Sequence, residues 1–303
     1  MQELADQIWG NSRFHDAAAL THRTWLAREL GKPLDAEVTM EEAVRLMQAS
    51  AILACSTNPV HRRQAYRSAT MTYEVVGTNT LPMQQALRVV LARLGNFPAL
   101  ETRDDVGRAA ADLPLDLAIE EIALSDQRRV MLRDRPALLT SFQHDLWSKL
   151  GEGRSVAVAA PTSAGKSFIL QGHLARVFEE TGALTVVYLV PTRALIAQVA
   201  RDLADLFAGT AGAPEIVTVP LDGEQPLPKR AIFVMTQERT QLMLAAHPDM
   251  STGIVIVDEA HSIADHGRGI LLQWVVDDLD LPRLSGEAFA QRDAVRSNCA
   301  GLM

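Results

Sequence analysis

The stretch VAAPTSAGKSFIL, residues 158–170, decides how the chain is read. It begins with the small apolar residues of a strand end, closes with helix formers, and carries Gly165-Lys166-Ser167 at the turn between them. Successive backbone N–H groups at such a turn, and at the start of the following helix, can enclose phosphate oxygens. Glycine lets the backbone approach where a side chain would collide. A lysine here reaches β- and γ-phosphates, and a serine hydroxyl binds Mg²⁺. Pro161, Thr162, Ser163, Ala164, Gly165, Lys166 and Ser167 are therefore candidates to cradle a nucleotide, with ATP and Mg²⁺ as cofactors. Against the pattern G-x-x-x-x-G-K-[ST], position 160 is alanine where glycine is expected, so a chance Gly-Lys-Ser in a loop is the competing reading.

Outward from this loop, short β-branched runs alternate with helix-like segments. SVAVAAP (155–161), TVVYLVP (185–191), EIVTVP (215–220), AIFVMT (231–236) and GIVIVDE (253–259) read as strands. KSFILQGHLARVFEE (166–180) and TRALIAQVARDLADLF (192–207) read as helices between them. Uniformly apolar strands separated by amphipathic helices indicate a doubly wound parallel sheet, an α/β domain with ligands at the carboxyl ends of the strands. GIVIVDEAH delivers two carboxylates at such an end. In a phosphate-loop protein the first, Asp258, holds Mg²⁺, and the second, Glu259, orients and deprotonates the attacking water. A solvated cap would carry the same two acids; the strand-end placement of both pieces, in the right order, favours ATP.

Residues before about 135 have a helical rhythm. AAALTHRTWLAREL (17–30) stops at Gly31-Lys32-Pro33, TMEEAVRLMQASAILAC (39–55) opens on a Thr39 cap, and LPMQQALRVVLARLGNFP (81–98) ends at Gly95. LDLAIEEIALSDQRRVMLRD (115–134) reads as a fourth helix. The basic run HRRQAYR (61–67) reads as a solvated helix face, and Trp9, Trp25, Trp147 and Trp274 as core. No fixed-period repeat points to a solenoid.

At 303 residues the chain is long enough for two domains, and its 48% hydrophobic and 22% charged residues are ordinary for a soluble globular protein. Its two cysteines, Cys55 and Cys299, lack metal-ligand spacing. With no signal-peptide pattern and no apolar run long enough to span a bilayer, the expected location is the cytoplasm, with no membrane partner. The net charge is −8, with 17 basic and 19 acidic residues up to 150 and 12 and 18 after it. A nucleic-acid site would therefore be a local groove rather than a basic surface.

APTSAGKS and DEAH resemble motifs I and II of the superfamily 2 DExH/DEAH-box helicases, whose motif I begins A-x-T and so accommodates Ala160. SFQHDLW (141–147) resembles the glutamine-containing segment before motif I, VPTRALIAQV (190–199) motif Ia, and MTQER (235–239) motif Ib, with glutamine replacing proline. The resemblance covers about 138–280, and PTSAGKS with DEAHSIAD is similar to the superkiller-like branch and to phage-defence helicases of the Hachiman type. It implies a RecA-like first motor domain over 136–281, preceded by an all-α domain over 1–135. It implies that Gln143 reads the adenine edge, and that Thr192, Arg193, Thr236 and Arg239, with Gln198, contact the backbone of DNA or RNA. For His261 the resemblance implies a link from the nucleotide to a second motor domain, with a helix cap after the strand as the competing reading; His266 and Arg268, which follow the acidic motif, are read as meeting a partner domain. SAT (68–70) resembles motif III but precedes motif I, and is set aside.

The family's second motor domain has no counterpart here, and 282–303 reads as an irregular tail. The resemblance thus implies an ATP-binding helicase half, weak in hydrolysis alone and completed by a second motor domain or a partner protein. The alternative is a non-motor ATP-binding regulatory or assembly subunit acting through its helical region.

Overall fold

The computed structural model describes residues 1–33, 37–77, 80–132, 135–161, 164–258, 260 and 268–279. By compactness the chain divides into Met1–Ile169 and Leu170–Met303.

Among its described residues the first unit has helices and one antiparallel pair of strands as its regular structure. Helices α1 (Gln2–Trp9), α2 (Ser12–Glu29), α3 (Met40–Leu53), α4 (Pro59–Thr72), α5 (Leu81–Leu94), α6 (Phe97–Glu101), α7 (Asp104–Arg108) and α8 (Leu115–Asp126) come first. Strands β1 (Arg129–Leu132) and β2 (Arg135–Leu138) and helix α9 (Ser141–Gly151) follow. Local chemistry sets the helix ends. Thr39 and Glu42 close a capping box on α3, while Gly31 and Gly95 adopt left-handed φ values of +61° and +70° after α2 and α5. The core pairs small with large residues: Ala43, Ala65 and Ala69 are fully buried, and Leu46, Met47, Leu87 and Leu91 fill the space between helices.

The run 61–67 lies on α4, where His61 is buried. Arg62 donates through Nη1 to Ala54 O at 2.6 Å and through Nη2 to Leu94 O at 3.0 Å, so it closes the ends of α3 and α5. The expected fourth helix ends early. α8 stops at Asp126, and β1 and β2 pair antiparallel with Arg129 opposite Leu138 and Leu132 opposite Arg135. In β1 exposure alternates, Leu132 being buried and Met131 60% exposed, so a period of two replaces the helical one.

Helix α10 (Lys166–Glu180) contains the division between the units. The second unit continues with β3 (Leu184–Leu189), α11 (Arg193–Phe207), β4 (Glu215–Val217), β5 (Arg230–Met235), α12 (Gln237–Ala246), β6 (Ile254–Val257) and α13 (Arg268–Asp278). The sheet order is β4-β5-β3-β6 and every neighbouring pair is parallel. Alternate β3 residues point to opposite faces. Val186 and Tyr188 join Leu174 and Phe178 of α10 and Leu203 and Phe207 of α11. Val187 and Leu189 join Met243 of α12 and Leu272 and Val275 of α13. Helices thus cover both faces, as expected of a doubly wound domain.

Arg230 fastens the amino-terminal side of this sheet. Its guanidinium donates to Phe178 O at 2.6 Å, to Gly212 O at 2.7 Å and to Thr181 O, and lies 5.4 Å from the centre of the Phe178 ring.

Two expectations are corrected. The run 155–161 forms no strand: it joins neither sheet, and only Val156 packs against a core, that of Leu132, Leu139, Leu146 and Ile169. A strand exists through its ladder partners, and the described β3 pairs directly with β5 and β6. Trp274 is 58% exposed on α13 rather than core, whereas Trp9, Trp25 and Trp147 are half-buried. The tail 282–303 lies outside the described residues. Among the described residues no helix is long and apolar enough to cross a membrane.

Candidate functional site

In the first unit the site grows from the start of α9. Thr140 caps this helix: its Oγ1 accepts from Gln143 N at 3.2 Å, and Gln143 Oε1 accepts from Thr140 N at 3.0 Å. The other end of the same amide, Gln143 Nε2, donates to Ala164 O at 3.2 Å. Gln143 therefore joins the start of α9 to the phosphate-loop candidate, with both ends of its side chain engaged. Gly165 follows at φ +78°, and a Cβ there would overlap Gln143 Nε2. The glycine is needed twice, for a left-handed backbone and for close approach.

Lys166 opens α10 and its ammonium donates to Ala160 O. The acceptor is a backbone carbonyl, which alanine supplies as well as glycine does, so the departure at 160 leaves this anchor intact. First-turn amides of a helix have no acceptor within it, and beside Lys166 they suit phosphate oxygens. Ser167 in the first unit offers a hydroxyl and Asp258 in the second a carboxylate, each by itself a hard oxygen donor of the kind Mg²⁺ accepts. Among the described residues no group of three or more His, Cys, Asp or Glu is assembled for a metal.

In the second unit the strand register sets the site. Leu189 lies opposite both Met235 and Val257, so β3, β5 and β6 end level. Asp258 comes next after β6, and its N–H donates to Leu189 O at 2.9 Å. Burial first, then the neighbouring Asp258 and Asp202, pushes the Tyr188 phenol up to about 12. Thr192 and Arg193, at the start of α11 after β3, are exposed, as is Gln198. Thr236, after β5, is only 5% exposed, and its carbonyl accepts from Thr240 N at 2.9 Å and Thr240 Oγ1 at 3.1 Å. Arg239, half-buried one turn into α12, donates to Thr218 O at 2.7 Å. The carboxyl edge of one sheet thus gathers Asp258, Thr192, Arg193 and Thr236. Of the four nucleic-acid candidates, Thr192 and Arg193 face solvent and Thr236 is covered.

Thr162, Ser163, Glu259, His261 and His266, together with the Arg268 side chain, lie outside the described residues. Sequence reasoning missed the second task of Gln143, its hold on Ala164. The signal was present: Thr140 and Gln143 have the T-x-x-Q spacing of a capping box, which fixes the amide at a helix start.

A family model described as "DEAD/DEAH box helicase" matches residues 140–292, just over half of the 303. The DExH-box ATP-dependent RNA helicase DExH9 of Arabidopsis thaliana is 30% identical over 152 residues, covering 50% of this chain and 14% of that protein. The antiviral helicase SKI2 of Saccharomyces cerevisiae is 29% identical over 147 residues, 48% of this chain and 11% of that one. The ATP-dependent DNA helicase Hel308 of Pyrococcus abyssi is 26% identical over 165 residues, 53% and 23% respectively. The aligned part spans less than a quarter of the length of each of these relatives. No solved structure gives a significant match.

Proposed function

The chain belongs to the DEAD/DEAH box helicase family, and from that premise we propose that residues 1–303 are the ATP-binding part of an ATP-dependent nucleic-acid helicase or translocase. The observation that carries this reading is the gathering of Asp258, Thr192, Arg193 and Thr236 at the level carboxyl ends of three parallel strands. In this reading 136–281 is the first motor domain and 1–135 a helical domain before it. The loop Pro161–Ser167 takes the phosphates, with Lys166 neutralising their charge. Ser167 and Asp258 are the protein's ligands to Mg²⁺, which supplies positive charge to the phosphate oxygens. Glu259 accepts a proton from the attacking water. Gln143 meets the adenine by exchanging one of its two present hydrogen bonds. Thr192 and Arg193 grip the nucleic-acid backbone, joined by Thr236 and Arg239 when nucleic acid opens that edge.

Phosphoryl transfer in such motors also uses an arginine from a second motor domain, worth about 10³–10⁵ in rate. Residues 1–303 alone should therefore hold MgATP firmly and turn it over slowly. The test is phosphate release from ATP with and without single-stranded DNA and RNA, beside Lys166→Ala and Glu259→Gln. Both polymers are used because the similar proteins include an RNA helicase and a DNA helicase. Stimulation by nucleic acid that both variants lose supports the motor; turnover undiminished in Glu259→Gln refutes the role of that carboxylate. The second reading, an assembly subunit, draws on residues 1–139 lying outside the family match. ATP-dependent capture of a protein partner, without nucleic-acid stimulation, would select it.

A further inference from the structure

We propose that the corner formed by Leu94, Gly95 and Ser141 is a positioning device for the nucleotide loop, through which the helical region sets the affinity for MgATP. The proposal rests on reading residues 161–167 as that loop. Leu94 is the last residue of α5, and its carbonyl has no partner within the helix. Two donors from different elements converge on it: Arg62 Nη2 at 3.0 Å and Ser141 Oγ at 3.0 Å. Arg128 Nη2 in turn donates to Ser141 Oγ at 3.3 Å, and its Nη1 to Leu124 O at 3.2 Å at the end of α8. Gly95, at φ +70°, makes the approach feasible. A Cβ on it would overlap Ser141 Oγ and lie 2.6 Å from Arg128 Nε.

Ser141 is also the first residue of α9, two before Gln143. Ser141 and Gln143 share the first turn of α9, so whatever fixes Ser141 fixes the backbone from which the Gln143 amide reaches Ala164 O. That amide holds Ala164 O at 3.2 Å, close to the limit at which a hydrogen bond survives, and packs against Gly165. A displacement of under an ångström at the corner is enough to break it. Leu94 and Gly95 lie outside the family match, which begins at 140, so the connection belongs to the helical region of this chain. Ser141 acts through Gln143 and is a positioning residue.

The experiment is titration of residues 1–303 with a fluorescent MgATP analogue. Wild type is compared with Ser141→Ala, Ser141→Thr, Gln143→Ala, the double variant Ser141→Ala/Gln143→Ala and Lys166→Ala, below the melting temperature of each. Ser141→Ala should weaken binding about fivefold, as expected for one lost hydrogen bond between neutral groups. Ser141→Thr, which keeps the hydroxyl, should restore it. The double variant should bind no more weakly than Gln143→Ala, because the first change acts through the second residue. A merely structural role for Ser141 would leave the two effects additive, and that outcome, or unchanged affinity in Ser141→Ala, overturns the proposal. Equal binding by wild type and Lys166→Ala would instead overturn the nucleotide loop itself. If Ser141→Ala does not fold, the cycle is run with Arg128→Ala in its place, under the same criterion.

Discussion

Replacing Gly165 by alanine puts the geometry of the nucleotide loop to a quantitative test. Two costs are separable. The first is backbone strain: at φ +78° a residue with a Cβ loses about 1 kcal/mol relative to glycine. The second is steric, because the added methyl overlaps Gln143 Nε2 and the flexible amide must swing away. Swinging it breaks the bond to Ala164 O and disturbs the one from Thr140 N, each worth about 1 kcal/mol. Gly165→Ala should therefore cost about 3 kcal/mol in all. Gly153 is the internal control: it has φ +69° and nothing within 4 Å of a built Cβ, so Gly153→Ala should cost only the strain of about 1 kcal/mol. Urea unfolding followed by circular dichroism gives both numbers, and MgATP titration should show affinity falling in the first variant alone. With Gln143→Ala already in place, the Gly165→Ala penalty should shrink to the strain term. Equal penalties for the two glycines would refute the claim that Gln143 closes on the loop.

Three further outcomes are expected. Arg230→Met should lower stability by about 3 kcal/mol, because three backbone carbonyls lose their donor; Arg230→Lys should recover little, since one ammonium cannot fork to all three, and urea midpoints check both. Burial, then Arg176, lowers His173 from 6.5 to about 4. The unfolded chain takes up that proton first, so stability is complete above about pH 6.5 and falls as pH drops toward 4, by about 1 kcal/mol once solvent screening is allowed for. Melting curves from pH 7 to 4.5 should lose that slope in His173→Gln. Arg193→Ala should weaken single-stranded nucleic-acid binding and reduce the slope of log K against log salt by about 1, read by anisotropy at several salt concentrations; an unchanged slope removes Arg193 from the backbone contacts.

What could be read from the sequence follows the physics of each signal. Helix ends governed by one residue were legible: Thr39, Gly31 and Gly95 act through local backbone geometry that needs no tertiary partner. Strands buried on both faces, as in β3 and β5, were legible because their runs are apolar throughout. The failures are where a tertiary partner decides. Residues 155–161 have strand character but no ladder partner, and residues 129–132 pair with 135–138 once Leu132 and Leu139 find a common core. Residue type points Trp274 to the core, but its place on α13 leaves it facing solvent. At the site, Asp258, Lys166, Thr192 and Arg193 could be placed at turns and strand ends from their motifs. The covering of Thr236 and the double engagement of Gln143 depend on neighbours far along the chain.

The exposure of Trp274 also makes the molecule its own instrument. The chain has four tryptophans, three of them at positions 9, 25 and 147 in the first unit and one in the second. With the first three replaced by phenylalanine, the remaining indole is an optical label on α13 that needs no attached dye. Quenching by a small solute such as iodide would then register anything that settles over that helix, whether a further domain, a second protein or a strand of nucleic acid.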